Sequence, residues 1–254
     1  MADGAPTYEP GVPMWVDLGS PDVEASRRFY GQLFGWQAQD LGPEAGGYTM
    51  FLLDGKQAAA VGPLMSPQQP PAWSTYVSTS DATATARKVE QAGGKVVMEP
   101  FDVMDQGRMG VFTDPGGAYF SVWQPGQHRG AEVVNVPNSF SWNELATRDI
   151  DGAKRFYAAV FGWGAETHGD YTEWKLNGRS IGGAMPMGDR YPPNVPPHWL
   201  VYFTVEDADA SAAKAQELGG RVLVPPMDIE PGRFAVVADP QGAAFGLFKL
   251  KSQM

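Results

Sequence analysis

The stretch RRFYGQLFGW, Arg27–Trp36, returns as KRFYAAVFGW, Lys154–Trp163, displaced by 127 residues in a chain of 254. Six of the ten positions are identical: Arg28/Arg155, Phe29/Phe156, Tyr30/Tyr157, Phe34/Phe161, Gly35/Gly162 and Trp36/Trp163. A repeat at half the chain length divides the molecule into two halves built on one plan. In the first copy, Ser20 is placed to cap a helix, Pro21 to open it, and Asp22 and Glu24 to put negative charge in its first turn. Ala25, Phe29 and Leu33, beside Tyr30 and Phe34, form one apolar face, and Gly35 supplies a left-handed stop. The second copy predicts the same helix, with Thr147 as cap, Ala153, Phe156, Tyr157, Val160 and Phe161 inward, and Gly162 as stop. The repeated stretch is therefore first a packing device.

Short strand patterns, PMWVDLG and FSWNELA, precede the two helices, and about three strands follow each, in GYTMFLLDGKQAAAVGPLM and DYTEWKLNGRSIGGAMPM. A second unit then appears in each half. WSTYVSTS, the helix DATATARKVEQA ended by Gly93 and Gly94, and three further strands are matched by WLVYFTVE, the helix DADASAAKAQEL ended by Gly219 and Gly220, and three strands. The chain thus reads as an α+β protein of four βαβββ modules. A polar stretch rich in Pro and Gly separates the halves, which places domains at 1–126 and 138–254 with a linker at 127–137.

Composition narrows the partners. The formal charge of −10 repels phosphate backbones and anionic lipid surfaces, so neither nucleic acid nor membrane is expected as a partner. No segment has the basic start and apolar run of a signal peptide or the apolar length of a membrane span, and the absence of cysteine suits a reducing compartment; a cytoplasmic location is expected. Forty-three per cent hydrophobic residues support a packed core in each half.

With FY..LFGW after the first strand and DP.G before the last, the chain resembles the vicinal oxygen chelate superfamily of glyoxalases, bleomycin-resistance proteins and extradiol dioxygenases. YEPGVPMWVDL, QPGQHRGAEVVN and WNELATRD resemble actinobacterial tandem-domain members, some labelled hydroxylases and some associated with anthracycline pathways. The resemblance implies two tandem glyoxalase-like halves, and in each half a metal held by a His, a second ligand and a Glu. The corresponding positions are Trp15, Ser74 and Ser121 in the first half and Trp142, Leu200 and Gly246 in the second. None is an ordinary ligand for zinc or a transition metal, so no metal and no other cofactor is expected. His128 falls in the linker, His168 at a strand end, and His198 at a strand entrance, where a relocated site with Glu144 is the alternative.

Side chains alternate along a strand, so positions two apart from each lost ligand share its concave face. That rule gives Trp15, Asp17, Ser74, Tyr76, Ser78, Tyr119, Ser121 and Trp123 in the first half, and Trp142, Glu144, Leu200, Tyr202, Thr204, Gly246 and Phe248 in the second. The set is aromatic with sparse polar points. It either closes the clefts as core or stacks on a flat apolar ligand. Asp17 and Glu144 occupy matching places and are the candidate acid/base groups, with a purely structural role as the alternative; Arg108 and Arg233 are candidate counter-ions. The expected function is binding of a small aromatic or hydrophobic natural product, for sequestration or in support of a biosynthetic enzyme. A cofactor-independent isomerase, lyase or hydrolase acting through Asp17 or Glu144 is the second reading, and a metal-dependent glyoxalase or dioxygenase the third.

Overall fold

The computed structural model describes residues 6–189 and 191–251. The first module runs β1 (Pro13–Ser20), α1 (Val23–Phe34), β2 (Gln37–Asp40), β3 (Thr49–Leu53) and β4 (Lys56–Pro63). The second runs β5 (Ala72–Ser78), α2 (Ala82–Gln91), β6 (Lys95–Val103), β7 (Gly107–Thr113) and β8 (Tyr119–Pro125). The third comprises β9 (Ser139–Thr147), α3 (Ile150–Phe161), β10 (Gly164–His168), β11 (Tyr171–Leu176) and β12 (Arg179–Pro186). The fourth comprises β13 (His198–Thr204), α4 (Ala208–Glu217), β14 (Arg221–Ile229), β15 (Gly232–Ala238) and β16 (Ala244–Leu250). All four carry the βαβββ order read from the sequence.

Modules pair within a half to form one sheet. The strand order is β2-β3-β4-β1-β5-β8-β7-β6 in the first and β10-β11-β12-β9-β13-β16-β15-β14 in the second. In each sheet the opening strands of the two modules lie antiparallel at the centre, β1 on β5 and β9 on β13. Each is flanked by a parallel neighbour, β4 on β1 and β8 on β5, β12 on β9 and β16 on β13.

The helix caps differ from the sequence reading. Asp22 and Asp149, not Ser20 and Thr147, cap α1 and α3, each accepting the N–H three residues on. Ser20 and Thr147 sit two residues earlier and accept the N–H of the capping aspartate, so the carboxylate, which also favours the helix dipole, takes the orphan donor. Gly35 and Gly162 end these helices at φ 74°, as expected.

Helix packing crosses the halves. The face of α1, with Phe29, Tyr30 and Phe34, is buried in one cluster with Phe203, Val237 and Phe245 of the fourth module. The face of α3, with Phe156, Tyr157 and Val160, is buried with Val77, Phe112 and Phe120 of the second. The tyrosines of the repeated motif close this exchange. Tyr30 Oη donates to Asp239 Oδ2 at 3.1 Å while accepting from Trp73 Nε1 at 3.0 Å. Tyr157 Oη donates to Asp114 Oδ2 at 3.1 Å while accepting from Trp199 Nε1 at 2.9 Å. The motif tryptophans do likewise: Trp36 Nε1 reaches Asn138 O at 2.8 Å and Trp163 Nε1 reaches Gly11 O at 2.7 Å. The two DP.G aspartates are thus receptors for the tyrosine of the opposite half.

Tyr30→Phe or Tyr157→Phe leaves a buried carboxylate and a buried indole N–H short of a partner. Each substitution should cost about 1–3 kcal/mol in urea unfolding, and the double variant should lose about the sum. Losses below about 0.5 kcal/mol in both would show that the cross-half hydroxyls contribute little.

Candidate functional site

The concave face of the first sheet carries a buried carboxylate. Asp17, in the middle of β1, lies opposite Ser74 on β5 and beside Ala60 on β4. Its Oδ2 accepts from Tyr48 Oη and Tyr76 Oη, both at 2.9 Å, and Trp15 Nε1 donates to Tyr48 Oη at 3.2 Å. Burial pushes the Asp17 carboxyl up to about 6, partly opposed by the hydroxyls of Tyr48, Tyr76 and Ser74. Burial, and then the neighbouring carboxylate, raise both tyrosines well above the ordinary phenol range. The centre is a neutral-phenol cage around one acid.

The second sheet repeats it. Glu144 of β9 lies opposite Leu200 and beside Gly183. Its Oε1 accepts from Tyr202 Oη at 3.1 Å, Tyr171 also hydrogen-bonds the carboxylate, and Trp142 Nε1 donates to Tyr171 Oη at 2.9 Å. Burial again raises the carboxyl. Two glycines make room: a Cβ at Gly183 would overlap the Tyr171 hydroxyl, and one at Gly246 would overlap the Tyr202 ring. The first half has Ala60 and Ser121 at these places, and the Ser121 hydroxyl hydrogen-bonds Tyr76.

The two faces differ in what covers them. Trp15, Tyr76, Met109 and Trp123 form a buried cluster with Ala131 of the inter-half segment. Trp15 is 3 % exposed and Trp123 7 %. The same segment lays the His128 ring edge-on against Trp15, with centroids 4.4 Å apart, and against Trp123 at 5.5 Å. His128 Nδ1 meets Gln57 Oε1 at 2.9 Å, and burial lowers the imidazole to about 4, so it is neutral near pH 7. In the second half Trp142, Tyr171, Phe234 and Phe248 remain half-buried.

Strand register places Tyr202 beside Trp142 and Gly246, and Thr204 beside Phe248. Ser78 donates to Tyr8 O at 3.4 Å and also lines a hollow of about 340 Å³ at the seam with α3. Tyr119 stands 62 % exposed at the start of β8, apart from the buried cluster. Arg108 and Arg233 are not counter-ions of the buried acids. Arg108 pairs with Asp102, and Arg233 with Asp209 and Asp228, all partly solvent-exposed, because the buried acids take hydroxyl donors instead. His198 turns Nδ1 to Pro196 O at 2.9 Å. Among the described residues, the cluster of His and acidic groups with metal-like spacing is Glu166, His168 and Glu173 on the β10–β11 hairpin, where Lys175 Nζ lies 2.9 Å from Glu173 and 3.3 Å from Glu166. Tyr48 and Tyr171 escaped the sequence reading. Their signal was the Tyr-Thr pair that opens β3 and β11 in both halves, which reads as ordinary strand entry until the fold brings it to the acid.

These features place the chain among known proteins. The family model of the Glyoxalase/Bleomycin resistance protein/Dioxygenase superfamily matches residues 14–122 and again 139–247. The chain belongs to this superfamily. It is 44 % identical, over 96 % of its length and 95 % of the relative's, to the anthracycline biosynthesis protein DauV of Streptomyces sp. (strain C5). It is also 44 % identical, over 95 % of its length and 96 % of the relative's, to the putative glyoxylase CFP32 of Mycobacterium tuberculosis. Among solved structures, the fold is similar to the Mn(II)-bound glyoxalase from Novosphingobium aromaticivorans, with a TM-score of 0.66, 18 % identity and coverage of 96 % of this chain and 84 % of that one. It is likewise similar to the 2,3-dioxygenase LapB from Pseudomonas sp. KL28, with a TM-score of 0.65, 13 % identity and coverage of 94 % and 93 %. Among the described residues no helix is long and apolar enough to cross a membrane.

The Asp17 carboxyl has a pKa raised above its unfolded value of 3.8, so its contribution to stability is fully present below about pH 4 and is lost as pH rises through about 6. Asp17→Asn removes the titrating group. Across pH 4 to 6 the wild-type unfolding free energy should therefore fall relative to that of the variant by on the order of 2 kcal/mol. Parallel pH profiles for the two proteins would contradict an elevated Asp17.

Proposed function

We propose that this chain binds a flat, largely apolar natural product of anthracycline or polyketide type on a concave sheet face, and sequesters it or presents it to a biosynthetic enzyme. The observation that carries this reading is the Trp–Tyr–Tyr–carboxylate constellation built twice at the heart of the concave face: aromatic walls around one polar point. The relatives named for anthracycline biosynthesis supply the ligand class. A ligand amine close to Glu144 would relieve the cost of ionising the buried acid.

The donor set does not suit the metal of the wider superfamily. Each centre offers a single carboxylate, already engaged by two phenols that burial keeps protonated, and the inherited ligand positions carry Trp, Ser, Leu or Gly. Zinc and transition ions require imidazole, thiolate or several carboxylates. What these residues can do is hydrogen-bond, exclude water and exchange a proton. The acidic surface argues against nucleic-acid or anionic-membrane partners, and a chain without cysteine suits work in the cytoplasm.

A second reading rests on Glu144. A carboxyl raised by burial and seated among aromatics also fits a general acid or base for an isomerase, lyase or hydrolase that needs no cofactor.

Addition of an anthracycline should quench tryptophan fluorescence, and the compound should be recovered unchanged. Glu144→Gln should weaken an amino-bearing anthracycline by about 1–3 kcal/mol and its neutral aglycone much less. Turnover by the protein alone, abolished by Glu144→Gln at unchanged affinity, would replace binding with acid/base catalysis.

A further inference from the structure

The first cleft holds a ring of its own. We infer that His128 occupies the ring seat of the first half, so that the chain takes one ligand molecule, whose aromatic ring settles edge-on between Trp142 and Phe248 in the second. This inference rests on the proposed binding function and assigns its site and stoichiometry.

Strand register makes the two seats equivalent. Tyr76 pairs with both Trp15 and Ser121, and Ser78 with Trp123; Tyr202 pairs with both Trp142 and Gly246, and Thr204 with Phe248. Trp15 therefore corresponds to Trp142, and Trp123 to Phe248. In the first half the space between the two is filled by a neutral, flat imidazole in edge contact with both. Its Nε2 is buried without a partner, so shape and ring contact rather than full hydrogen bonding hold it there.

The loop that delivers the ring is pinned on every side. The N–H groups of Gly126 and His128 both bond Gln106 O, at 2.9 and 3.0 Å, and that of Gln127 bonds Asp105 O at 3.1 Å. The N–H of Ala131 bonds Met14 O at 2.9 Å, that of Glu132 bonds Gln57 O at 2.8 Å, and Tyr8 Oη donates to Ala131 O at 2.8 Å. Gly130, at φ 102°, passes so close to Met14 O and Tyr8 that a Cβ would stand 2.7 and 2.8 Å from them. A ligand ring entering the first cleft must displace the His128 ring and the loop that holds it, whereas Trp142 and Phe248 of the second are only half-buried.

The second half repeats the start of this path at Lys251. The N–H of Lys251 bonds Pro231 O at 3.1 Å, as that of Gly126 bonds Gln106 O. Its ring seat is bordered instead by exposed apolar side chains. Met227, Phe234 and Phe248 form one cross-strand row, and Ile229 and Leu250 flank Gly232 in the next. Met227 is 44 % exposed, Ile229 39 % and Leu250 57 %. Such a rim suits a multi-ring apolar body extending outward from the ring in the seat.

The experiment combines calorimetric titration of the full-length protein with daunorubicin, an anthracycline, and amide hydrogen exchange with and without it. The inference expects one molecule per chain. It expects the amides of residues 126–132 to be protected in the free protein and unchanged on binding, with new protection on β13 and β16. Phe248→Ala should weaken binding about tenfold. Two equivalent sites per chain, or loss of protection at 126–132 when ligand is added, would overturn the inference while leaving the binding function intact. Protected loop amides with no daunorubicin bound would overturn the binding function itself.

Discussion

A phenol hydroxyl of one half, buried against a carboxylate of the other, is the contact on which the architecture depends. Tyr30 on Asp239 and Tyr157 on Asp114 each sit at the centre of an aromatic cluster, and each hydroxyl is also the acceptor for a tryptophan N–H. The carboxylates in turn collect the backbone N–H groups of their own DP.G turns. Removing any member strands the others in a low-dielectric interior, where an unmet polar group costs more than a made one contributes. The consequence is mutual dependence: neither half encloses its own helix, so the apolar face of α1 is completed by the fourth module and that of α3 by the second.

Because the helices fill the space between the sheets, the opposite sheet faces are turned outward, and these are the faces that carry the acids. Asp17 and Glu144 are placed by strand register and held by tyrosines from the neighbouring hairpin and from the partner central strand. Among the described residues, the side chains that bear on them are hydroxyl donors. The physical result is an acid whose charged form is disfavoured by desolvation and only partly restored by hydroxyl donors, a setting that responds strongly to any ligand bringing positive charge or a further donor.

Superfamily membership fixes the scaffold and leaves the chemistry open. Solved structures of similar fold include a Mn(II)-bound glyoxalase and two 2,3-dioxygenases, at identities that speak for the fold alone. In this chain the concave face of each half carries indole, phenol and a single carboxylate. The divergence between halves is concentrated at a few positions. Ala60 against Gly183, Ser121 against Gly246 and Trp123 against Phe248 alter how tightly the same constellation is packed, and the segment after β8 covers the first one.

The four modules, their order and the helix stops were legible in the sequence because each rests on local rules: apolar spacing at 3.6 or 2 residues, and glycine at left-handed positions. Alternation along a strand likewise sets Trp15 beside Asp17 and Trp142 beside Glu144 on one face, while Tyr119 stands exposed and Ser78 lies at the seam with α3. The helix caps moved by two residues because a serine or threonine that bonds its own turn and an aspartate that caps the helix look alike in a short polar run. What only the tertiary structure decided is everything that joins distant segments. Tyr30 and Asp239 are 209 residues apart, and no local pattern names one as the partner of the other. Tyr48 and Tyr171 reach the acids only because β3 and β11 fold back beside β4 and β12. His128, in a stretch composed like any linker, fills a cleft because backbone bonds to Gln106, Met14 and Gln57 carry it there. Local stereochemistry writes the elements; which buried donor meets which acceptor follows from packing faces that lie far apart along the chain.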